Sequence, residues 1–255
     1  MGLLHPPTIH LMRKISTLLL LAFFFGQLSA QSTAYILQGG PTLGSQKWEN
    51  GGDQQVLFKY HVALAIESVN NEDDKSAGFL QIGYHVKGSA VRNNFANVFT
   101  GGNSRFSKEY RFNNLSVAVG AKQKFALGTN GMRYFYFGAL RGDYTLSSNI
   151  KDLNDEYGAN YVNIFDPQDE YVKRLMFGLS IGGGLQLNFS ELIGGQLTLS
   201  ICPDITNQYR QPAIPNIIDP FGSGANITIP ERRIRNTAVE ISFGIRLLHK
   251  VEIVE

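Results

Sequence analysis

The stretch "TAVEISFGIRLL", residues 237–248, sets Glu240 and Arg246 inside an otherwise apolar run. Successive side chains of a β-strand point to opposite faces, so a period of two sorts them. Thr237, Val239, Ile241, Phe243, Ile245 and Leu247 fall on one face; Ala238, Glu240, Ser242, Gly244, Arg246 and Leu248 fall on the other. One face is greasy, and the other is small, polar or charged. Which of them points inward depends on whether the rest of the chain repeats the pattern.

Seven more segments do repeat it, roughly 34–44, 56–67, 78–88, 114–125, 132–145, 173–189 and 195–204. In 114–125, for example, Leu115, Val117, Val119 and Ala121 oppose Ser116, Ala118, Gly120, Lys122 and Lys124. Within the cores of all eight, no Lys, Arg, Asp or Glu lies on the apolar face, while the opposite face collects most of the charges and many glycines. The segments are also long. Soluble strands usually run to about five or six residues, whereas a tilted membrane strand needs about 9–11.

The connections carry a second signal. Long ones (45–55, 89–113, 146–172 and 205–235) alternate with short ones ("SVNNEDDKSA", "ALGTNG" and "SELIGG"). Alternating connection lengths with an even strand number are the pattern of outer-membrane barrels; a soluble sandwich has no reason to sort its loops by parity. Aromatic residues gather near segment ends (Tyr35, Phe112, Phe125, Tyr134, Tyr144, Phe189), where interfacial girdles would sit. The apolar faces are therefore expected to meet lipid, and Glu240 and Arg246 to face a lumen.

The N-terminus fits export. Arg13 and Lys14 precede an apolar run, Ile15–Phe25, and Leu28-Ser29-Ala30 offers a small-residue cleavage site before Gln31. Residues 1–30 are read as a signal peptide, with 1–11 as an upstream extension ahead of Met12, and residues 31–255 as the barrel domain. The apolar run falls short of the roughly 20 residues of a membrane span, and no cysteine follows the cleavage site to carry a lipid anchor. Removing Arg13 and Lys14 from the 23 basic residues leaves 21 against 21 acidic ones. That balance leaves no basic footprint for nucleic acid. Cys202 is the only cysteine, which excludes an intramolecular disulfide framework and a cysteine-cluster metal site. No later apolar run is long enough for a membrane helix.

Together the signal, the eight alternating segments, the sorted connections and the final "EISFGIRLL" resemble the small outer-membrane β-barrel families of Gram-negative bacteria, of the OmpX and OmpA-barrel type. The long polar loops and glycine-rich strands are also similar to PorT-like barrels. This resemblance covers residues 31–250 and is one of pattern. It implies an all-β, eight-stranded antiparallel up-and-down transmembrane barrel, with long extracellular loops and short periplasmic turns, in the outer membrane.

The chemistry-bearing residues read differently in such a barrel. "GLSIG", Gly178–Gly182, matches a nucleophile elbow, but that motif needs a strand-to-helix turn and here lies inside an alternating run. His61 and His85 face the lumen on neighbouring strands and could serve a hydrolase, although neither has an acidic orienter beside it in its own segment. Asp152, Asp155, Glu156, Asp166, Asp169 and Glu170 lack the spacing of a calcium loop. The 205–235 connection, rich in Pro, Ile and Asn, suits a protein contact at the cell surface or a lid over the barrel mouth.

An eight-stranded barrel is just wide enough for side chains to fill it, so its charges must pair. An upper ionic layer is expected to join Arg141 and Glu240, directly or through Lys59 or Lys87, with Asp143 nearby. A lower layer would hold Glu67 with Lys122, Lys124, Arg133 and Arg246. These expectations describe a non-enzymatic barrel without cofactor or metal. Its partners would be outer-membrane lipid and a protein at the surface loops, or it would support an envelope complex. A small channel and, less favoured, a lumen-based hydrolase are the alternatives.

Overall fold

The computed structural model describes residues 32–49, 53–69, 75–96, 103–128, 131–157, 167–219 and 224–250; the signal segment and the last five residues lie outside this set. Among the described residues the alternating segments are all strands: β1 (Ser32–Trp48), β2 (Asp53–Val69), β3 (Ser76–Ala96), β4 (Asn103–Leu127), β5 (Met132–Ser148), β6 (Leu175–Asn188) and β7 (Ile193–Pro203). Three short strands follow, β8 (Tyr209–Gln211), β9 (Ile214–Ile218) and β10 (Asn226–Ile229), before β11 (Arg232–His249). Each long strand pairs antiparallel with its sequence neighbour, β7 pairs with β11, and β11 pairs with β1. The ring closes on eight strands. Closure removes the unpaired edges that an open sheet could not keep in lipid.

The distribution of side chains is that of a soluble protein turned inside out. Leu37, Leu64, Ile82, Val119, Leu140, Ile181, Leu199 and Ile245 are exposed on the outer surface, whereas Lys87, Glu67, Asp143 and Arg141 are buried inside. In water the exposed apolar belt would be a large liability; in a bilayer it is the solvated face. Phe125 stacks on Tyr134 at 4.9 Å, beside Tyr136, at the end where β4 turns into β5.

The two ends differ. At the turn end, 70–75, 128–131 and 189–192 connect the strands. At the loop end, 149–174 carries helix α1 (Ile150–Tyr157) and a 3-10 turn at Asp169–Tyr171, and 204–231 carries β8 to β10. Two connections that the sequence pattern reads as long are instead absorbed into strand: only 49–52 and 97–102 separate β1 from β2 and β3 from β4. β4 has 25 residues and β3 has 21, well beyond the roughly 9–11 needed to cross lipid. Their hairpin rises past the girdle in continuous register, from Ser76 against Gln123 to Ala96 against Asn103.

Over the mouth at that end sits a small apolar cluster of Val91, Tyr110, Phe112, Ile150, Tyr209 and Ile234. It draws on β3, β4, α1, β8 and β11, so the 204–231 connection folds partly inward as a lid: β8 pairs with the start of β11, and Tyr209 is fully buried. β9 and β10 form a separate two-stranded sheet that pairs with no strand of the barrel.

Candidate functional site

The lumen is where the chain concentrates its titratable groups, and it is layered. Nearest the lid, polar side chains close a first tier: Gln46 takes a hydrogen bond from Ser89 and donates to Asn236, which donates in turn to Gln208 and Asp204. Below it lies a tight ionic group. Lys87 Nζ reaches Asp143 Oδ2 at 2.6 Å and Asp204 Oδ1 at 3.0 Å. Arg141 Nε reaches the same Asp143 oxygen at 3.0 Å, and its Nη2 reaches Asp204 Oδ1 at 2.5 Å. Two cations face two carboxylates with almost no solvent exposure. In so dry a setting each charge is tolerable only because its partners are in place.

Asp204 is the member that the sequence pattern did not single out. It follows Gln196, Thr198, Ser200 and Cys202 on the inward parity of β7, and that was the available signal; Pro203 before it reads as a strand end. Two expected placements change. Glu240 bonds not to Arg141 but to His85, with Nδ1 to Oε1 at 2.5 Å. Lys59 joins neither: the β2–β3 register breaks between Val56 and His61, and Lys59 pairs at 3.0 Å with Glu109, a half-exposed residue on β4.

The middle tier holds the two histidines. His61 and His85 are register partners whose rings stack at 5.6 Å. His61 bonds Ser242 Oγ through Nε2 at 2.8 Å and Thr42 Oγ1 through Nδ1 at 2.9 Å. A serine, a histidine and an acid are thus all present, but wired as two separate pairs. Ser242–His61 is oriented by a hydroxyl, and His85–Glu240 has no hydrogen-bonded nucleophile at its buried Nε2. A triad needs one histidine between serine and acid, and this arrangement is not one.

"GLSIG" has a packing explanation. A Cβ at Gly178 would lie 2.8 Å from Arg141 Nη2, and one at Gly182 would lie 2.8 Å from the Phe137 ring. Ser180 between them accepts a hydrogen bond from Arg141 Nη1 at 3.3 Å. The glycines make room for long side chains on β5.

Towards the turn end a chain of amides crosses the barrel: Lys122 donates to Gln196, Gln196 to Gln38, and Gln38 to Gln81. Glu67 is bridged by both Lys122 and Lys124, and Lys122 lies 4.6 Å from the centre of the Phe135 ring. Arg246 is buried near this tier, while Arg133 is half-buried at the end of β5, in register with Ala126 and Gln186. Of the acidic loop residues, Asp152, Asp155 and Glu156 lie on α1, Asp169 and Glu170 form the 3-10 turn, and Asp166 is outside the described residues. No three described carboxylate, histidine or cysteine side chains are grouped to hold a metal.

No protein-family model and no curated protein matches this sequence. Solved structures do align with it. The outer membrane protein OprG from Pseudomonas aeruginosa is 12% identical over 85% of this chain and 97% of its own, with a TM-score of 0.45. Neisserial surface protein A is 10% identical over 84% and 96%, with a TM-score of 0.40. Outer Membrane Protein W of E. coli is 12% identical over 85% and 98%, also at 0.40. The closed ring, the apolar belt and the ionic interior of the chain itself make it a transmembrane β-barrel of the outer-membrane type.

Proposed function

We propose that this chain is exported by residues 1–30, is processed near Ala30 and works in the outer membrane as a non-enzymatic, non-conducting barrel whose loop end binds a protein partner. The observation that carries this reading is the contrast between a filled lumen and a projecting loop end. Buried side chains occupy successive tiers of the lumen, and an apolar lid covers its mouth. Above the lid, the β9–β10 hairpin stands apart from the barrel sheet with Ile218 72% exposed. An exposed isoleucine beyond the membrane belt has no lipid to cover it, and isolated two-stranded sheets are marginal in water. A partner strand or surface would supply what is missing.

The test replaces residues 214–229 with a short Gly-Ser turn. The barrel is expected to keep its heat-modifiable gel mobility and to lose a protein that co-purifies with the parent from native membranes. An unchanged set of co-purifying proteins would overturn the binding reading. Refolded protein is expected to show no conductance steps in planar bilayers; stable steps would favour the channel alternative. An epitope after Asn154 should be reachable on intact cells and one after Thr129 should not, which fixes the loop end outside.

A further inference from the structure

We propose that Lys47 and Arg235 bind the phosphate of a membrane lipid, in the leaflet that surrounds the loop end. The two residues are direct cross-strand partners where β1 meets β11, and both are exposed. They share the outward parity of Leu43, Ser45, Thr237 and Val239, so they stand on the outer wall of the barrel and not in the lumen. Like charges set directly opposite each other destabilise a sheet. Among the described residues no carboxylate pairs with either cation. The chain places two positive charges side by side and supplies nothing to offset them.

Height decides what the pair meets. Phe58, Leu43, Val239 and Ile201 are successive register partners across β2, β1, β11 and β7, and Phe58, Leu43 and Ile201 are exposed parts of the apolar belt. Lys47 and Arg235 lie four residues beyond Leu43 and Val239 toward the loop end. That is about 13 Å along a strand, or roughly 10 Å along the membrane normal at a tilt of about 40°. A headgroup layer is about 5–7 Å thick, and long basic side chains reach back to it along their apolar stems. The neighbouring cations are already held. Arg233 and Arg210, two residues farther from the membrane, share Glu231, and Arg233 also lies 3.8 Å from Glu49. On this rim the chain neutralises the charges that face water and leaves open the two beside the lipid.

The chemistry of the pair selects phosphate. A guanidinium beside an ammonium takes different oxygens of one phosphate, the first through parallel N–H bonds and the second as a point charge. A phosphate anchored by acyl chains is held at this height and at high local concentration; a free anion in solution is not. The chains of such a lipid would lie along exposed Leu43, Phe58 and Val56, just below the pair.

The experiment uses the full barrel refolded into phosphatidylcholine vesicles at constant ionic strength. A minor share of the lipid is replaced by phosphatidic acid or phosphatidylcholine with brominated chains, which quench tryptophan at short range. Trp48, the only tryptophan of the chain, directly follows Lys47 and reports which lipid sits there. Brominated phosphatidic acid is expected to quench it more strongly than brominated phosphatidylcholine at the same mole fraction. Lys47→Gln and Arg235→Gln should each cut this preference about fivefold; Lys250→Gln, at the turn end, should keep it. Arg235→Glu gives Lys47 an opposite charge across the strands, so it should fold as well as the parent and lose the preference. Equal quenching by the two lipids in the parent, or an undiminished preference in Arg235→Glu, would overturn the proposal. Loss of the preference on adding inorganic phosphate would overturn it too, by assigning the pair to a free anion.

Discussion

The two ionic tiers of the lumen use the same residue types and reach opposite balances. On the loop side, Lys87 and Arg141 interlock with Asp143 and Asp204, each carboxylate touching both cations. On the turn side, Glu67 serves Lys122 and Lys124, and Arg246 stands beside them with one edge unmet. The first is a closed set, in which each cation meets both carboxylates, with only Asp143 Oδ1 left without a hydrogen-bond partner. The second is open, its compensation resting on a single carboxylate. Burial alone therefore does not say what a lumen charge does; the ratio of charges around it does. A balanced group acts as a packed core, and an unbalanced one is held together by one residue.

Breaking the open tier should produce the largest effect. Glu67→Gln leaves Lys122 and Lys124 buried without their carboxylate, and removing one partner of a buried pair typically costs about 3–5 kcal/mol. Adding Lys122→Met to Glu67→Gln should recover part of the loss, since the double change removes both a charge and the group it needed. Urea titration of the refolded variants measures both. If Glu67→Gln costs no more than a surface change, the tier is wetter than its burial implies and the contrast between the halves fails.

The closed tier should respond next, and more gently, because each of its charges keeps a second partner. Asp204→Asn leaves Lys87 and Arg141 with Asp143, for an expected loss of about 2 kcal/mol, below the range for a pair broken outright. A double-mutant cycle of Arg141→Met with Asp204→Asn should show coupling above about 1 kcal/mol, as contacting residues do. The same cycle with Glu240→Gln should show less, because Glu240 is bonded to His85 rather than to Arg141. The reverse order would mean that Arg141 and Glu240 are the true partners.

That reassignment shows where the sequence ran out. Parity alone put Arg141, Glu240, Glu67, Lys122 and Lys124 inside, because slipping a strand by one residue would send a whole face of grease into the lumen. Parity does not give height. The stagger between strands depends on the shear of the closed ring, so two inward residues on distant strands can sit in different tiers. Lys59 illustrates a second limit: its parity is inward, but the break in β2–β3 register lets it pair with Glu109 instead. No composition signal marks such a break. The β3–β4 hairpin is a third case. Residues 89–113 are polar and read as loop, yet 89–96 and 103–113 pair in register through the backbone, whose hydrogen bonds do not depend on apolar alternation. The unmet edge of Arg246 was likewise hidden, since it requires knowing that both lysines had already taken Glu67.

The smallest effect concerns the lid, which sharpens the contrast by supplying an ionic group outside the membrane. Glu231 accepts hydrogen bonds from Arg233 Nη2 at 2.7 Å and from Arg210 Nε at 3.0 Å, tying β8 to the first residues of β11. The hydrogen bond from Arg233, followed by that from Arg210, holds the Glu231 carboxyl below its ordinary value of 4.5. A carboxyl depressed in the folded state contributes stability that is complete above its unfolded pKa and is lost as pH falls through the lower, folded value. The tie is therefore expected to be intact at pH 5 and above, and to weaken only as the solution becomes more acidic than the ordinary carboxylate range. Arg210 is exposed and Glu231 and Arg233 are partly exposed, so the energy at stake is slight and falls with salt. Amide exchange at Tyr209 and Gln211 reads the opening of β8 directly. Protection there should drop with acid in the parent, after correction for the intrinsic pH dependence of exchange, and Glu231→Gln should start lower and show no such step. A step of equal size in Glu231→Gln would assign it to another group and leave the lid held by Tyr209 and its apolar neighbours alone.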